Sequence, residues 1–215
     1  WSSDVCSSDL AGAAILLGDL ALVWSAKMLH ESGLSPAQLS AVLPSYDILR
    51  IELMAGQFLD IEEQTAHKSS MEKSRKIARY KSGKYTIERP LHFGAALGGR
   101  LDLSQKFTEY GLPLGEAFQL RDDILGVFGK SELTGKPAGD DLLEGKRTAL
   151  IAKTLELANA SQALALTNVL GNRAATPEMI DKAREIITET GALSEIESLI
   201  TKLTHESIQA ISGLP

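Results

Sequence analysis

Apolar residues recur with the period of an α-helix along most of the chain, and no stretch alternates strictly between apolar and polar positions. Residues 11–31 are predicted to form a mostly buried helix, because apolar residues occupy more than one of its sides. Further helices are predicted at residues 36–65, 71–80, 89–99, 104–115, 118–128, 149–158, 163–170, 177–190 and 193–211. The pattern therefore predicts an all-α bundle of roughly ten helices around a central cavity.

Proline and glycine residues mark the breaks between these helices. Ser35 followed by Pro36, and Thr176 followed by Pro177, are typical of an N-cap and the first helical position. Gly83 lies inside a helical pattern, where glycine costs about 1 kcal/mol relative to alanine. A kink or a close helix contact is predicted there.

The composition of the chain argues against several classes of protein. The 22 Lys and Arg against 28 Asp and Glu give a net charge of −6, which argues against a nucleic-acid binder. No apolar run is expected to reach transmembrane length. The chain has one cysteine, Cys6, so an intrachain disulfide framework is excluded and a cytoplasmic location is expected.

The candidate chemistry is concentrated in residues 118–148. Asp122 and Asp123 fall in the middle of a predicted helix, with Gln119 one turn before them and Gly126 one turn after. Residues three or four apart share a helical face, so these four can border one cavity. A solvated helix face is the alternative for any single Asp-Asp pair.

Lysines and further carboxylates follow this helix: Lys136, Asp140, Asp141, Glu144 and Lys146. Mg²⁺ binds through a few carboxylates and is usually completed by substrate phosphates. Lysines neutralise the phosphate charge that remains. The stretch therefore predicts a metal and diphosphate site.

Six short segments of the sequence resemble one protein family. FQLRDD, TGKPAGDD and EGKRT resemble the second aspartate-rich region of the trans-prenyl diphosphate synthases, which include farnesyl and geranylgeranyl diphosphate synthases. ILLGDLAL, GQFLDI and RYKSGKYT are similar to three other helices of that family. The resemblance covers about residues 11–211.

The resemblance implies roles for particular residues. The metal ligands would be Asp122 and Asp123, and the diphosphate would be held by Lys81, Lys136 and Lys146. Lys81, Ser82 and Gln119 would act at the reacting centre. The supporting residues would be Asp19, Gln57, Asp60, Asp140 and Asp141. From the residues alone, Asp19 is equally compatible with a packing charge, and Lys81 with a surface turn.

The resemblance also implies the isoprenoid synthase fold, usually a homodimer, with two or three Mg²⁺ (or Mn²⁺) ions. These ions would bridge an allylic diphosphate to carboxylates on two facing helices. The C–O bond would ionise, and the double bond of isopentenyl diphosphate would attack the allylic cation. The protein would contribute positioning, electrostatic stabilisation and exclusion of water.

This sequence departs from the family pattern at two places. The second motif is often Asp-Asp-x-x-Asp, but its last position here is Gly126, so Asp140 or Asp141 is expected to hold metal-bound water instead. The first aspartate-rich motif should precede Gly18 and Asp19, and it is not in the sequence. Residues 1–10 are interpreted as a non-family tail on a synthase domain, residues 11–215, that lacks its N-terminal helices. We expect the chain alone to release almost no pyrophosphate with both substrates.

Three other interpretations are left open by the sequence. A terpene cyclase shares the ionisation chemistry. A non-catalytic subunit of a heteromeric synthase shares the fold, although such subunits tend to lose the Asp pair that is present here. A purely structural helical protein would bind no diphosphate.

Overall fold

The computed structural model describes residues 7–65, 70–129 and 139–214. Every regular element in these ranges is helical, which confirms the all-α prediction. The elements are α1 (Ser7–His30), α2 (Pro36–Thr65), α3 (Met71–Ala78), a π-helix (Arg79–Glu88, the π segment), α4 (Arg89–Leu97), a 3₁₀ turn (Leu101–Leu103), α5 (Ser104–Phe128), α6 (Asp140–Leu143), α7 (Ala149–Leu157), α8 (Ala160–Val169), α9 (Pro177–Glu189) and α10 (Ala192–Ile211).

The chain divides into two compact units, residues 1–44 and 45–215. The first unit contains α1, whose apolar side chains are largely exposed, among them Leu16 and Met28. The prediction that this helix is mostly buried is therefore wrong. Residues 10–30, with a mean hydropathy of 1.5, are also long and apolar enough to cross a membrane. The expectation that no apolar run reaches transmembrane length is therefore wrong. Core helices of soluble proteins and signal sequences have the same length and composition, so this is weak support for a membrane span.

The second unit is organised around α5, which packs along α10. Leu120, Ile124 and Val127 recur at helical spacing on α5 and are buried. They join a core with buried residues of α7, α9 and α10, such as Ile187 and Ile196. Each fully buried side chain of this size contributes about 1.5–3 kcal/mol. This core fixes the helix that carries the Asp122-Asp123 pair.

Residues 104–128 form one helix, although two separate helices were predicted on either side of Gly115. Pro113 lies inside α5, and the helix continues through it. The helix ends at Phe128 as predicted, but Gly129 has extended backbone angles, with φ −62° and ψ 142°. The sequence pattern broke at Pro113 and Gly115 because neither residue favours a helix interior in isolation.

The π segment lies between α2 and α5, and its backbone is in close contact with the backbones of both helices. A Cβ at Gly56 of α2 would lie 2.8 Å from the backbone nitrogen of Lys81, and a Cβ at Gly115 of α5 would overlap Cα of Gly83. A kink or a close contact was predicted at Gly83; the close contact is confirmed, and the residue lies in a π-helical stretch. Because π-helical turns often accompany functional sites, this segment directs attention to the cavity beside it.

Candidate functional site

A cavity of about 250 Å³ opens within the second unit, between α2, α3, the π segment, α5 and the start of α7. Its lining is mainly charged and polar: Asp60, Ser74, Ile77, Ala78, Lys81, Gln119, Asp122, Asp123, Asp141, Lys146, Arg147, Thr148 and Ala149. Helices distant in sequence thus bring acids and bases to a single hollow.

Asp123 is one of two buried carboxylates of this lining; it and Asp141 each have 7% of their surface exposed. Its Oδ1 accepts a 2.9 Å hydrogen bond from Nε2 of Gln119. Oε1 of Gln119 in turn accepts a hydrogen bond from the Ser82 hydroxyl. Ser82, Gln119 and Asp123 therefore form a chain of hydrogen bonds that ties the π segment to the centre of α5.

The electrostatic environment of Asp123 favours its protonated form. Burial raises the pKa of its carboxyl group to about 7; the hydrogen bond from Gln119 acts in the opposite direction, and the nearby charges of Asp141 and Asp122 add to the rise. Asp122 is exposed and takes part in no hydrogen bond or ion pair among the residues that the structure describes. One carboxylate of the pair is thus crowded by negative charge, and the other is free to bind.

Asp141 reaches this wall from the start of α6. Its carboxylate occupies the space that a side chain at Gly126 would need. The ammonium group of Lys146 donates a hydrogen bond to Asp141 and lies 3.1 Å from a Glu144 oxygen. Burial lowers the pKa of Lys146, but these hydrogen bonds raise it by more, so the group stays cationic.

Lys81 brings a second cation to the cavity from the π segment. Its Nζ donates a 2.6 Å hydrogen bond to Oδ2 of Asp60, one of the residues on α2 predicted to support the site. Both side chains are about 30% exposed, which leaves the ammonium group accessible from the cavity. Lys81 can therefore exchange its contact with Asp60 for one with an anion.

Most of the sequence-predicted residues are gathered here. Lys81, Gln119, Asp122, Asp123, Asp60, Asp141 and Lys146 line the cavity, and Ser82 is bonded to Gln119 just behind it. Gln57 is exposed on α2, and neither it nor Asp140, half-buried at the start of α6, is part of the lining. Asp19 is exposed on α1 in the other unit, and Lys136 falls outside the described residues.

Three polar lining residues, Ser74, Arg147 and Thr148, were not predicted. Ser74 is buried on α3, and its hydroxyl donates a 3.1 Å hydrogen bond to the backbone oxygen of Arg147. Nothing in the pattern of α3 distinguishes this serine from a packing residue. Arg147 follows Lys146 directly, and its place in the EGKRT segment was the available signal.

The lining fits Mg²⁺ only in combination with a ligand. In the part of the chain that the structure describes, no three Asp, Glu, His or Cys side chains form a ready-made metal cluster. The available donors are carboxylate oxygens, which suit a hard cation, and Mg²⁺ commonly uses one or two of them together with substrate phosphates. The raised pKa of Asp123 reflects crowded negative charge, which a divalent cation would relieve.

Comparison with known proteins gives consistent matches. The sequence model of the polyprenyl synthetase family matches residues 6–187. The chain is similar to geranylgeranyl diphosphate synthase of Saccharolobus solfataricus, with 40% identity over 126 residues that make up 56% of this chain and 38% of that protein. It is 30% identical over 206 residues to geranylfarnesyl diphosphate synthase of Aeropyrum pernix, covering 94% of this chain and 63% of the relative.

The fold matches a solved structure of the same kind. A geranylgeranyl pyrophosphate synthase from Corynebacterium glutamicum, in complex with isoprenyl diphosphate and magnesium, superposes with a TM-score of 0.91 at 40% identity. The match covers 96% of this chain and 59% of that one. The chain therefore spans less than two thirds of the length of each of these proteins.

Proposed function

Because the chain belongs to the polyprenyl synthetase family, we propose that it forms the metal- and diphosphate-binding half of a trans-prenyltransferase site. The reaction is the condensation of isopentenyl diphosphate with an allylic diphosphate. One observation carries the proposal: the carboxylates of Asp122 and Asp123 border the same 250 Å³ cavity as Lys81 and Lys146. A diphosphate with its metal ions needs both kinds of group at once.

Binding of the diphosphate is assigned to the two lysines. Each is paired with a carboxylate in the free cavity, Lys81 with Asp60 and Lys146 with Asp141. A diphosphate that binds competes with Asp60 and Asp141 for the ammonium hydrogens of the lysines. Until it binds, these carboxylates keep the ammonium groups oriented toward the cavity. Positioning of this kind lowers the cost of bringing the reacting groups together.

Asp122 and Asp123 would hold the metal ions, with Asp141 beside them. Bound Mg²⁺ supplies charge stabilisation at the leaving diphosphate oxygen. Within the chain, Gln119 fixes Asp123 by its 2.9 Å hydrogen bond and links it to the Ser82 hydroxyl. Ser82 lies just behind the cavity lining, and its hydroxyl oxygen would act on the positive charge that develops on the allylic carbon.

Calorimetry of the chain tests this proposal. Dimethylallyl diphosphate is expected to bind in the presence of Mg²⁺ and not in the presence of EDTA. Replacing Asp122 and Asp123 together by Asn should abolish the Mg²⁺-dependent part of the binding, and Lys81→Met should weaken it. Exchange of Lys202, an exposed lysine of α10, for Met is the matched control and should change nothing. The proposal is contradicted if dimethylallyl diphosphate binds equally well with Mg²⁺ and with EDTA, or if it does not bind.

The proposal includes a homodimer in the cytoplasm, by analogy with the family. Sedimentation analysis of the chain with and without ligand tests the dimer. A monomer at all concentrations would remove that part of the proposal and leave the binding site untouched.

A further inference from the structure

A partly buried network of charged side chains lies at the far end of the π segment from Lys81. Oε1 of Glu52 on α2 accepts hydrogen bonds from Lys84 at 2.5 Å and from NH2 of Arg89 at 2.8 Å, and its Oε2 accepts from Nε of Arg89 at 2.7 Å. The three side chains are only 12–17% exposed. None of them lines the cavity, so the proposed chemistry does not explain why two cations and a carboxylate are held together there, largely out of solvent.

The spacing of the two cations distinguishes this network from an ordinary helical ion pair. Lys84 and Arg89 are five residues apart. In an α-helix, residues three or four apart share a face, whereas residues five apart point about 140° away from each other. In a π-helix the backbone bonds join residues five apart, and here the N–H of Arg89 donates to the carbonyl of Lys84. One carboxylate can hold both cations because the turn between them is π-helical.

We infer that Glu52 is a positioning residue that selects the π-helical register of residues 79–88, an inference that rests on the proposed function. The register determines which way Lys81 and Ser82 lie relative to the cavity. Glu52, Gly56 and Asp60 follow one another at four-residue intervals along α2. Glu52 contacts the Lys84 side chain, Gly56 lies against the Lys81 backbone, and Asp60 accepts from the Lys81 ammonium group.

Charge pairs that are largely withdrawn from solvent are better suited to such a role than to raising stability. The cost of removing ions from water offsets much of their attraction, and the best-attested use of buried polar groups is to select one register over another. Glu88 extends the network: its Oε1 accepts a 2.8 Å hydrogen bond from Thr108 of α5, and its Oε2 lies 4.0 Å from Nζ of Lys84. The cations are thereby balanced by one carboxylate from α2 and one from the π segment itself.

The variant Glu52→Gln keeps the volume of the side chain and removes its charge. Calorimetry with dimethylallyl diphosphate and Mg²⁺ should show about a tenfold loss of affinity, as is typical when a residue that orients a ligand group is removed. Glu116→Gln is the matched control, because Glu116 is buried and binds Arg75 and Arg79, which have α-helical spacing. It should lower the melting temperature without a comparable loss of affinity. The inference would be overturned if, in both variants, the loss of affinity were in the same proportion to the drop in melting temperature.

Hydrogen exchange measures the protection of the Arg89 amide, which donates to the Lys84 carbonyl in the π-helical register, and it does not depend on ligand. The amide of Arg89 should exchange faster in Glu52→Gln than in the unchanged chain or in Glu116→Gln. Unchanged protection of that amide overturns the inference, even if affinity falls. If Glu52→Gln does not fold, the double variant Glu52→Gln, Lys84→Met removes one charge of each sign, and faster exchange at Arg89 is expected there as well.

A double-mutant cycle separates a positioning role from a general loss of stability. In a Lys81→Met background, Glu52→Gln should lower the diphosphate affinity by less than about twofold, because the group it positions is gone. Additive losses of affinity contradict the inference. If the unchanged chain binds no diphosphate, the proposed function fails, while the exchange experiment still decides whether Glu52 sets the register.

Discussion

The carboxylate of Asp141, on α6, fills the space that a side chain at Gly126, on α5, would occupy. Relatives with Asp at this third position of the motif would place a carboxylate on α5 itself. Here a neighbouring element supplies it, held by Lys146. The expectation that Asp140 or Asp141 replaces the absent acid remains a prediction about metal-bound water, and the geometry favours Asp141, because Asp140 is not part of the cavity lining.

Gly126→Ala should therefore weaken Mg²⁺-dependent binding. The added methyl group overlaps the Asp141 side chain, so the carboxylate has to leave the cavity wall and Lys146 keeps only its contact with Glu144. We expect a loss of about 10- to 100-fold in affinity for Mg²⁺ with diphosphate, the range for residues that orient metal ligands. Asp141→Asn is the comparison, since it keeps the volume and removes the charge. Wild-type affinity in Gly126→Ala would show that Asp141 has no part in the site.

Metal binding should depend on pH with a midpoint near neutrality. Burial raises the pKa of Asp123 to about 7, so the free site holds a proton below that value. A metal ion has to displace this proton, and its affinity should rise with pH up to about 7 and then level off. Titration calorimetry in buffers of different ionisation enthalpy should also detect the proton that is released.

The same shift predicts how the stability of the metal-free chain changes. The folded chain keeps the Asp123 proton up to about pH 7, whereas the unfolded chain loses it near the ordinary value of 3.8. Between these values the folded state binds more protons, so the free energy of unfolding falls as pH rises. Asp123→Asn should remove this part of the pH dependence in urea unfolding. An unchanged profile in that variant would place the titration elsewhere.

Gln119 should set the position of that midpoint. Its amide donates to the Asp123 carboxylate and favours the charged form, so it holds the pKa of Asp123 below what burial alone would give. Gln119→Leu should move the pH midpoint of Mg²⁺ binding upward and weaken binding at pH 7. Gln105→Leu, at an exposed position of the same helix, is the control and should leave the midpoint unchanged. A midpoint that stays near 7 in Gln119→Leu contradicts this role.

Local features of the site and core were predictable from the sequence. Leu120, Ile124 and Val127 recur at the helical period and are buried on α5, and the confirmed family resemblance drew attention to Asp122 and Asp123. Hydrophobic spacing and short motifs are properties of neighbouring residues, so one sequence is enough to recognise them. The N-cap at Thr176 follows the same rule, because its side chain accepts from the backbone N–H three residues later.

Features that depend on distant contacts were not predictable. Nothing in the sequence shows that Asp141 fills the space at Gly126, or that Gly115 faces Gly83 across two helices. The π-helical register is hidden for the same reason, because Glu52 selects it from α2. Burial of α1 was predicted wrongly, because apolar composition reports what a helix can pack against and not whether it does so in this structure.

The contact between Gly115 and Gly83 supports a final prediction about stability. Because a Cβ at Gly115 would overlap the backbone of the π segment, Gly115→Ala has to separate α5 from that segment. Overpacking of this kind typically costs about 1–3 kcal/mol, although alanine is otherwise the better helix former by up to about 1 kcal/mol. Gly94→Ala, at a helical glycine whose Cβ would meet nothing within 4 Å, shows that propensity gain alone and should be neutral or stabilising. Urea unfolding should therefore move the two midpoints in opposite directions; a stabilised Gly115→Ala chain would mean that the helices do not touch there.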